Sequence, residues 1–156
     1  MKNLTESEKA FDFKVNDSKE ALPPGVIAQI EGYATFTGKV NRNNRFYPDG
    51  FWEKVLADPE IQEMLDTKTF YGAAKHPGAM DSPYVDPPTV SHAISSYKVD
   101  SKGVYVYIDV LDTPMGRAIK PMIDYKSKIG ISTRAFGEQK EDSQGRLVPV
   151  EGQLIS

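Results

Sequence analysis

The sequence predicts one α+β domain in which helices flank a mostly antiparallel β-sheet. Runs rich in β-branched and aromatic residues alternate with short turn sequences, which is the pattern of strands joined by hairpins. Two other segments, around Trp52 and around Ile119, repeat apolar residues at helical spacing. The length of 156 residues, with 39% hydrophobic and 26% charged residues, suits one globular domain with a single core.

Composition narrows the classes of function. The formal net charge of −3 provides no basic field that would gather phosphate backbones, so nucleic acid is not an expected partner. The chain has no cysteine, which excludes disulfides, thiolate zinc ligands and a cysteine nucleophile. Because it shows no apolar run of about 18 residues and no signal-peptide core, we expect a cytoplasmic protein without a membrane segment.

The folded part is expected to begin after a polar leader. Residues 1–25 are polar and end in Pro-Pro-Gly, which predicts a mobile N-terminal arm before a domain over residues 26–156. The run over residues 26–40 predicts a long strand bent at Gly32 and Gly38.

Two short helices should follow. Asp49 can cap the first, and the second begins at Asp58-Pro59. The apolar side chains expected on their inner faces are Phe51, Trp52, Val55, Leu56, Ile61, Met64 and Leu65.

The middle of the chain predicts a short strand, a loop and a hairpin. Residues 69–71 resemble a strand that leads to His76, and the proline-rich stretch up to residue 88 predicts a surface loop. Residues 89–100 and 104–111 resemble two strands that pair antiparallel through the turn Ser101-Lys102-Gly103.

The last part predicts a helix and further strand-like stretches. Thr113 and Pro114 start a helix, and Pro121 predicts a kink or an early end, because an interior proline costs about 3 kcal/mol. A strand over residues 129–136 contains Ser132, and a final apolar piece covers residues 147–155. The expected apolar stripe of the helix is Met115, Ala118, Ile119, Met122 and Ile123.

The histidines are the candidate general bases at neutral pH, and there are two of them. His76 stands at a strand-to-loop exit, where a side chain can be both fixed and open to substrate, although for this residue alone a structural role in the loop is favoured over catalysis. His92 alternates with Val90 and Ile94, which favours a packed, hydrogen-bonded residue.

Ser132 is the candidate nucleophile, since it lies in the strand-like block Gly130-Ile131-Ser132-Thr133-Arg134. Arg134 projects to the same face two residues on and could steady an oxyanion. Serine attack on an amide needs such a nucleophile, a base and oxyanion donors. Ordinary strand residues would show the same spacing, so spacing alone does not identify a protease.

Five blocks occur in a distinctive order between Gly32 and Gly137. They are Val40-Asn41-Arg42-Asn43-Asn44-Arg45-Phe46-Tyr47-Pro48; His76-Pro77 with Val85-Asp86-Pro87; Val90-Ser91-His92; Leu111-Asp112-Thr113-Pro114-Met115-Gly116; and Gly130-Ile131-Ser132-Thr133-Arg134. Together the blocks resemble the prohead core serine proteases of tailed bacteriophages, the myovirus type related in fold to herpesvirus assemblin.

The resemblance implies a barrel-like sheet flanked by helices, as in herpesvirus proteases, and a serine endopeptidase inside the assembling prohead in the host cytoplasm. The expected partners are phage scaffold and major capsid proteins, which it would cut, with itself, as the shell matures. No cofactor and no metal are implied, and a homo-oligomer would suit a protease held in a capsid. Relatives tend to cut after an acidic residue, which Arg134 or Lys75 would read.

The resemblance also assigns the site. The family's serine falls on Ser132 and its histidine on His76, at adjacent strand ends, with Arg134 supporting the oxyanion. For the third member of the triad, Asp86 competes with an acidic residue downstream of the serine strand. His92 is a further candidate, because assemblin uses two histidines.

Some positions depart from the family pattern. An acidic residue that often precedes the histidine is replaced by Ala73 and Ala74, and the Pro-Ser motif of relatives is not found by Ser156. The domain over residues 26–156 is therefore expected to be incomplete at its C-terminus. Two alternatives stay open: a catalytically incomplete capsid-assembly or scaffold-binding protein with this fold, and an unrelated β-rich binding module.

Overall fold

The fold is built on a five-stranded antiparallel sheet. The computed structural model describes residues 2–3, 6–8, 13–16, 21–40, 44–73, 87–129, 131–133 and 135–154. The sheet has the order β3-β4-β7-β6-β5, and every pair is antiparallel. Its strands are β3 (Lys14–Val15), β4 (Val26–Phe36), β5 (Tyr71–Ala73), β6 (Val90–Val99) and β7 (Gly103–Leu111).

The predicted strands and the hairpin are confirmed with small shifts in their bounds. β4 runs through Gly32 without interruption, and Gly38, at φ 75°, lies in the turn beyond its end. A Cβ at position 32 would lie 2.9 Å from the Phe13 ring, so glycine there lets that ring pack on the strand. β5 begins at Tyr71, two residues later than predicted.

One face of the sheet carries the core. Along β7 the residues alternate between buried and half-buried, which is the period of a strand with one covered face. The covering elements are α1 (Phe51–Leu56), α2 (Pro59–Asp66) and α3 (Pro114–Asp124). Of the helices that the structure describes, none is long and apolar enough to span a membrane. The α+β prediction is confirmed.

The two short helices begin differently. Helix α2 follows Asp58 as predicted, and the Asp58 side chain caps it by accepting a hydrogen bond from the Glu60 N–H at 2.9 Å. The prediction that Asp49 caps α1 is wrong, because the N-cap is Gly50 and it makes no side-chain cap bond. Gly50 has φ 85°, in the left-handed region that a glycine adopts at little cost.

Helix α3 packs through its smallest residue. Thr113 caps it, accepting from the Gly116 N–H at 3.0 Å, and donates to the Val90 carbonyl oxygen at 2.5 Å. Gly116 and Ile123 are the buried residues of the helix. Pro121 does not end α3, which continues to Asp124. Of the predicted apolar stripe, Met115 and Met122 are 39% and 51% exposed, so the covered face is narrower than expected.

The remaining strands form smaller sheets. A three-stranded sheet has the order β1-β9-β10, and β2 pairs with β8. The residues before position 26, expected to form an arm, therefore contribute three short strands. In the part of the chain that the structure describes, β3 and β5 are edges of the large sheet, so the strands do not close into a barrel. The bounds are β1 (Lys2–Asn3), β2 (Glu6–Glu8), β8 (Ile131–Thr133), β9 (Ala135–Glu141) and β10 (Leu147–Leu154).

Replacement of Gly116 by alanine tests the packing of α3. A Cβ there would overlap the Leu111 carbonyl oxygen and lie 2.9 Å from the Ser91 carbonyl oxygen. We expect Gly116→Ala to lower the free energy of unfolding by about 1–3 kcal/mol, measured by urea denaturation. Helix propensity alone would raise it by about 1 kcal/mol, so a stabilised variant would contradict this packing. Ala118→Gly, at an exposed position of α3, measures the propensity effect separately.

Replacement of Asp142 tests the turn between β9 and β10. Burial raises the pKa of the Asp142 carboxyl, but hydrogen bonds from the backbone and guanidinium of Arg146 outweigh burial, so the net pKa is below 3.8. A lowered pKa stabilises the fold above the unfolded-state pKa, and this stabilisation is lost as pH falls through the folded-state pKa. We therefore expect Asp142→Asn to be less stable than wild type in urea at neutral pH, and the difference to shrink as the pH falls below the unfolded-state pKa of about 3.9. A difference independent of pH would show that charge is not involved.

Candidate active site

The structure gives the backbone position of one predicted site residue. Ser132 is the central residue of β8, which pairs with β2 and lies beside β4. His76, Asp86 and Arg134 fall outside the residues that the structure describes.

The stretch that contains His76 and Asp86 leaves and returns at one end of two paired strands. β5 ends at Ala73, and the description resumes with a 3₁₀ turn, Pro87–Thr89, that leads into β6. Ala73 and Val90 are register partners. Residues 74–86 therefore connect neighbouring points on the edge of the sheet.

An apolar cavity of about 120 Å³ lies between the sheet and α3. Its lining includes Ala73, three residues before His76, and Ile129, three residues before Ser132. The chain segments that lead to the candidate base and to the candidate nucleophile thus contact one cavity.

A second cavity of about 250 Å³ shares part of this lining. Phe13, Ile123 and Ile129 border both cavities. Among the described lining residues, three lysines border the second cavity and not the first: Lys14, Lys126 and Lys128. The second cavity therefore combines an apolar floor with positive charge.

His92 is a packed, hydrogen-bonded residue, as predicted. Its Nδ1 lies 2.7 Å from the Ser91 Oγ, and the side chain is half-buried. Ser91 is fully buried, so its hydroxyl is closed to a polypeptide substrate. The Ser91–His92 hydrogen bond is therefore structural, although serine and histidine are also the side chains of a catalytic dyad.

Glycine at position 72 makes room for the His92 ring. Gly72 and His92 are register partners in β5 and β6. A Cβ at position 72 would overlap His92 Nε2 and lie 2.5 Å from Cε1. The sequence carried no clear signal of this contact, because it joins residues that are far apart in the chain.

The strand leading to His76 and the strand containing Ser132 are not neighbours in the described sheets. β5 pairs with β6, and β8 pairs with β2. The expectation that His76 and Ser132 lie at adjacent strand ends stays a prediction, because His76 falls outside the described residues. The segments that lead to His76 and to Ser132 both line the cavity beneath α3, but β5 and β8 do not pair with each other. Within the described residues, no group of three histidine, aspartate or glutamate side chains could hold a metal ion.

The chain is similar to known proteins in family pattern, in sequence and in fold. The model of a family described as prohead core protein serine protease matches residues 6–154. The prohead core protein protease of Enterobacteria phage T4 is 29% identical over 140 residues, which cover 88% of this chain and 63% of that protein. The solved structure of the bacteriophage T4 capsid assembly protease aligns with a TM-score of 0.81 and 25% identity, over 97% of this chain and 92% of the other.

A double-mutant cycle tests the contact between Gly72 and His92. We expect Gly72→Ala to lower the free energy of unfolding by about 1–3 kcal/mol, because the methyl group must displace the ring from Ser91. In a His92→Ala background the same substitution should cost much less, since the space is then open. Urea denaturation of the four proteins gives the coupling energy. Equal costs in both backgrounds would show that the ring does not occupy this position.

Proposed function

The chain belongs to the family of prohead core protein serine proteases, and from this membership we propose that it is a serine endopeptidase of prohead maturation. Its substrates would be phage scaffold and major capsid proteins, cut inside the assembling prohead in the host cell. The chain spans 63% of the length of the curated relative that it matches. The activity and the substrates of this chain therefore belong to the proposal.

The observation that carries this proposal is the extent of the family match. Residues 6–154 include both His76 and Ser132, together with the cavity beneath α3. Each of these residues is three positions from a residue that lines the cavity, Ala73 or Ile129. Three extended residues span at most roughly 11 Å, which is the upper limit on the Cα distance from either candidate to its cavity-lining neighbour.

The proposed mechanism uses Ser132 and His76. His76 takes the proton of the Ser132 hydroxyl as the oxygen attacks the carbonyl carbon of the scissile amide. Backbone N–H groups, with Arg134, stabilise the tetrahedral oxyanion. His76 then gives its proton to the leaving amine, and the acyl-enzyme forms. Water, activated by His76, releases the acyl product and restores the serine.

Asp86 is proposed as the group that orients His76. A carboxylate on the far side of the imidazole fixes the tautomer and stabilises the imidazolium that forms during attack. Asp86 directly precedes the turn Pro87–Thr89, which leads into β6, and β6 pairs with β5, the strand that comes before His76 in the chain. The competing candidate His92 has its Nδ1 bonded to Ser91, and its Nε2 lies against Gly72, which favours the carboxylate.

The second cavity supports a preference for acidic residues in the substrate. Lys14, Lys126 and Lys128 border it, and Ile129 connects it to the strand of Ser132. An acidic substrate side chain would meet positive charge over an apolar floor. These three lysines would read the acidic residue of the substrate together with Arg134.

Cleavage of natural substrates by matched variants tests the proposal. Purified wild type, Ser132→Ala and His76→Ala are incubated with the scaffold and major capsid proteins, and the fragments are identified by mass spectrometry. We expect either substitution to lower the cleavage rate by at least about a thousandfold, because each removes a reacting group. Ser101→Ala, in the exposed turn between β6 and β7, is the matched control and should cut like wild type. The fragment ends should show acidic residues.

Two results would oppose the proposal. Cleavage that survives in Ser132→Ala would exclude this serine as the nucleophile. Absence of cleavage by wild type, together with stable binding to the scaffold protein, would favour a catalytically incomplete assembly protein with the same fold.

A further inference from the structure

The cavity between the sheet and α3 has a closed floor. Its floor residues come from β4, β6, β7 and α3, and each is at most 7% exposed: Ile30, Ser91, Ile108, Val110 and Ile123. Four of the five are aliphatic and belong to the main core. The cavity is therefore an opening into the core, and not a shallow groove between surface side chains.

The rim of the cavity is apolar and partly exposed. Phe13, Ile119 and Ile129 are partly buried residues that pack against the core. Met122 lines the cavity and is 51% exposed, so the cavity reaches solvent beside this residue. A methionine side chain is unbranched and has three rotatable bonds, which lets it move aside at little cost. A small molecule can therefore enter past Met122 without unfolding of the core.

The polar side chains of the described lining are bonded to each other. They are Ser91 and His92, and the Ser91 Oγ lies 2.7 Å from His92 Nδ1 and 3.5 Å from the Gly72 carbonyl oxygen. A water molecule inside a protein typically makes about two to four hydrogen bonds to polar groups. Because these polar groups already bond to one another, the lining is a poor host for water. An apolar occupant needs no hydrogen bond and is not disfavoured in this way.

We propose that this cavity is a binding site for one small apolar molecule, a hydrocarbon of about the size of a single benzene ring. Its volume of about 120 Å³ is slightly smaller than that of an engineered cavity of about 150 Å³, lined by similar side chains, which binds benzene or xenon. Burial of an apolar molecule in such a lining is favourable in proportion to the surface removed from water. The site does not depend on the chemistry at Ser132, so the inference goes beyond the proposed function.

The isoleucines of the chain allow binding to be mapped by methyl NMR with benzene as the probe. Ile108 and Ile119 line this cavity and not the second one. Ile61, in α2, is not among the described lining residues of either cavity and serves as the internal control. The isoleucines that border both cavities are Ile30, Ile123 and Ile129.

Benzene should shift the methyl signals of Ile108 and Ile119 in a saturable way, through its ring current, and leave Ile61 unchanged. At about ten times its Kd it should raise the midpoint of thermal unfolding by about 3–6 °C, because it binds the folded chain. Phenol has a ring of the same size and adds a hydroxyl, which would be buried against polar groups that already bond to each other. We expect phenol to bind at least about fivefold more weakly than benzene.

Two variants change the cavity volume in opposite directions. Val110→Ile adds a methylene to the floor and should weaken benzene binding by roughly fivefold or more. Val106→Ile makes the same change at a buried position of the same strand outside the lining, and should bind benzene like wild type. Ile119→Ala enlarges the cavity, and should favour toluene over benzene by about fourfold relative to wild type, the value of one additional buried carbon.

Several results would overturn the proposal. Equal shifts at Ile61 and Ile108 would show non-specific association. Shifts confined to the isoleucines that border both cavities would place benzene in the second cavity. Phenol binding as tight as benzene binding would contradict the hydrocarbon class. If Val110→Ile folds and binds benzene like Val106→Ile, the ligand lies elsewhere, and if Val110→Ile does not fold, an unchanged toluene preference in Ile119→Ala leads to the same conclusion.

Discussion

The close approach of α3 to β6 is the contact on which the rest of the structure depends. Gly116 brings the helix backbone against the carbonyl oxygen of Ser91, and Thr113 bonds both to the helix and to Val90. Because no side chain stands between them, the helix covers the sheet closely enough to bury Ile123. The cavity that remains is small, and its shape is set by backbone contacts that a loop could not hold as rigidly.

The same contact is connected to β5, the strand that precedes His76 in the chain. Ser91 faces α3 through its carbonyl oxygen and holds His92 through its hydroxyl, and the His92 ring in turn lies on Gly72 at the start of the path to His76. A shift of the helix would therefore change the cavity lining at Ala73 of β5 and at Ile129. Buried polar groups joined in this way favour one arrangement, since breaking any bond leaves a partner unsatisfied.

The N-terminal residues differ in how firmly they are held to the rest of the fold. Phe13 and β3 belong to the core and the large sheet, whereas β1 and β2 add two and three residues to an outer edge. Free energy of local opening varies across a fold, and segments with few buried contacts open most easily.

The sequence by itself determined the elements whose signals are local. The alternation in β7, the start of α2 after Asp58, the start of α3 at Thr113 and the packed environment of His92 were all visible as patterns over a few residues. The family blocks indicated the candidate pair His76 and Ser132. The left-handed cap at Gly50, the exposure of Met115 and Met122, the glycine contacts and the pairing of β1 with β9 and of β2 with β8 were decided by the tertiary structure. Local patterns report which conformation a segment prefers and which face is apolar. Backbone pairing between distant polar segments leaves no such mark, because the groups that pair are the same in every residue.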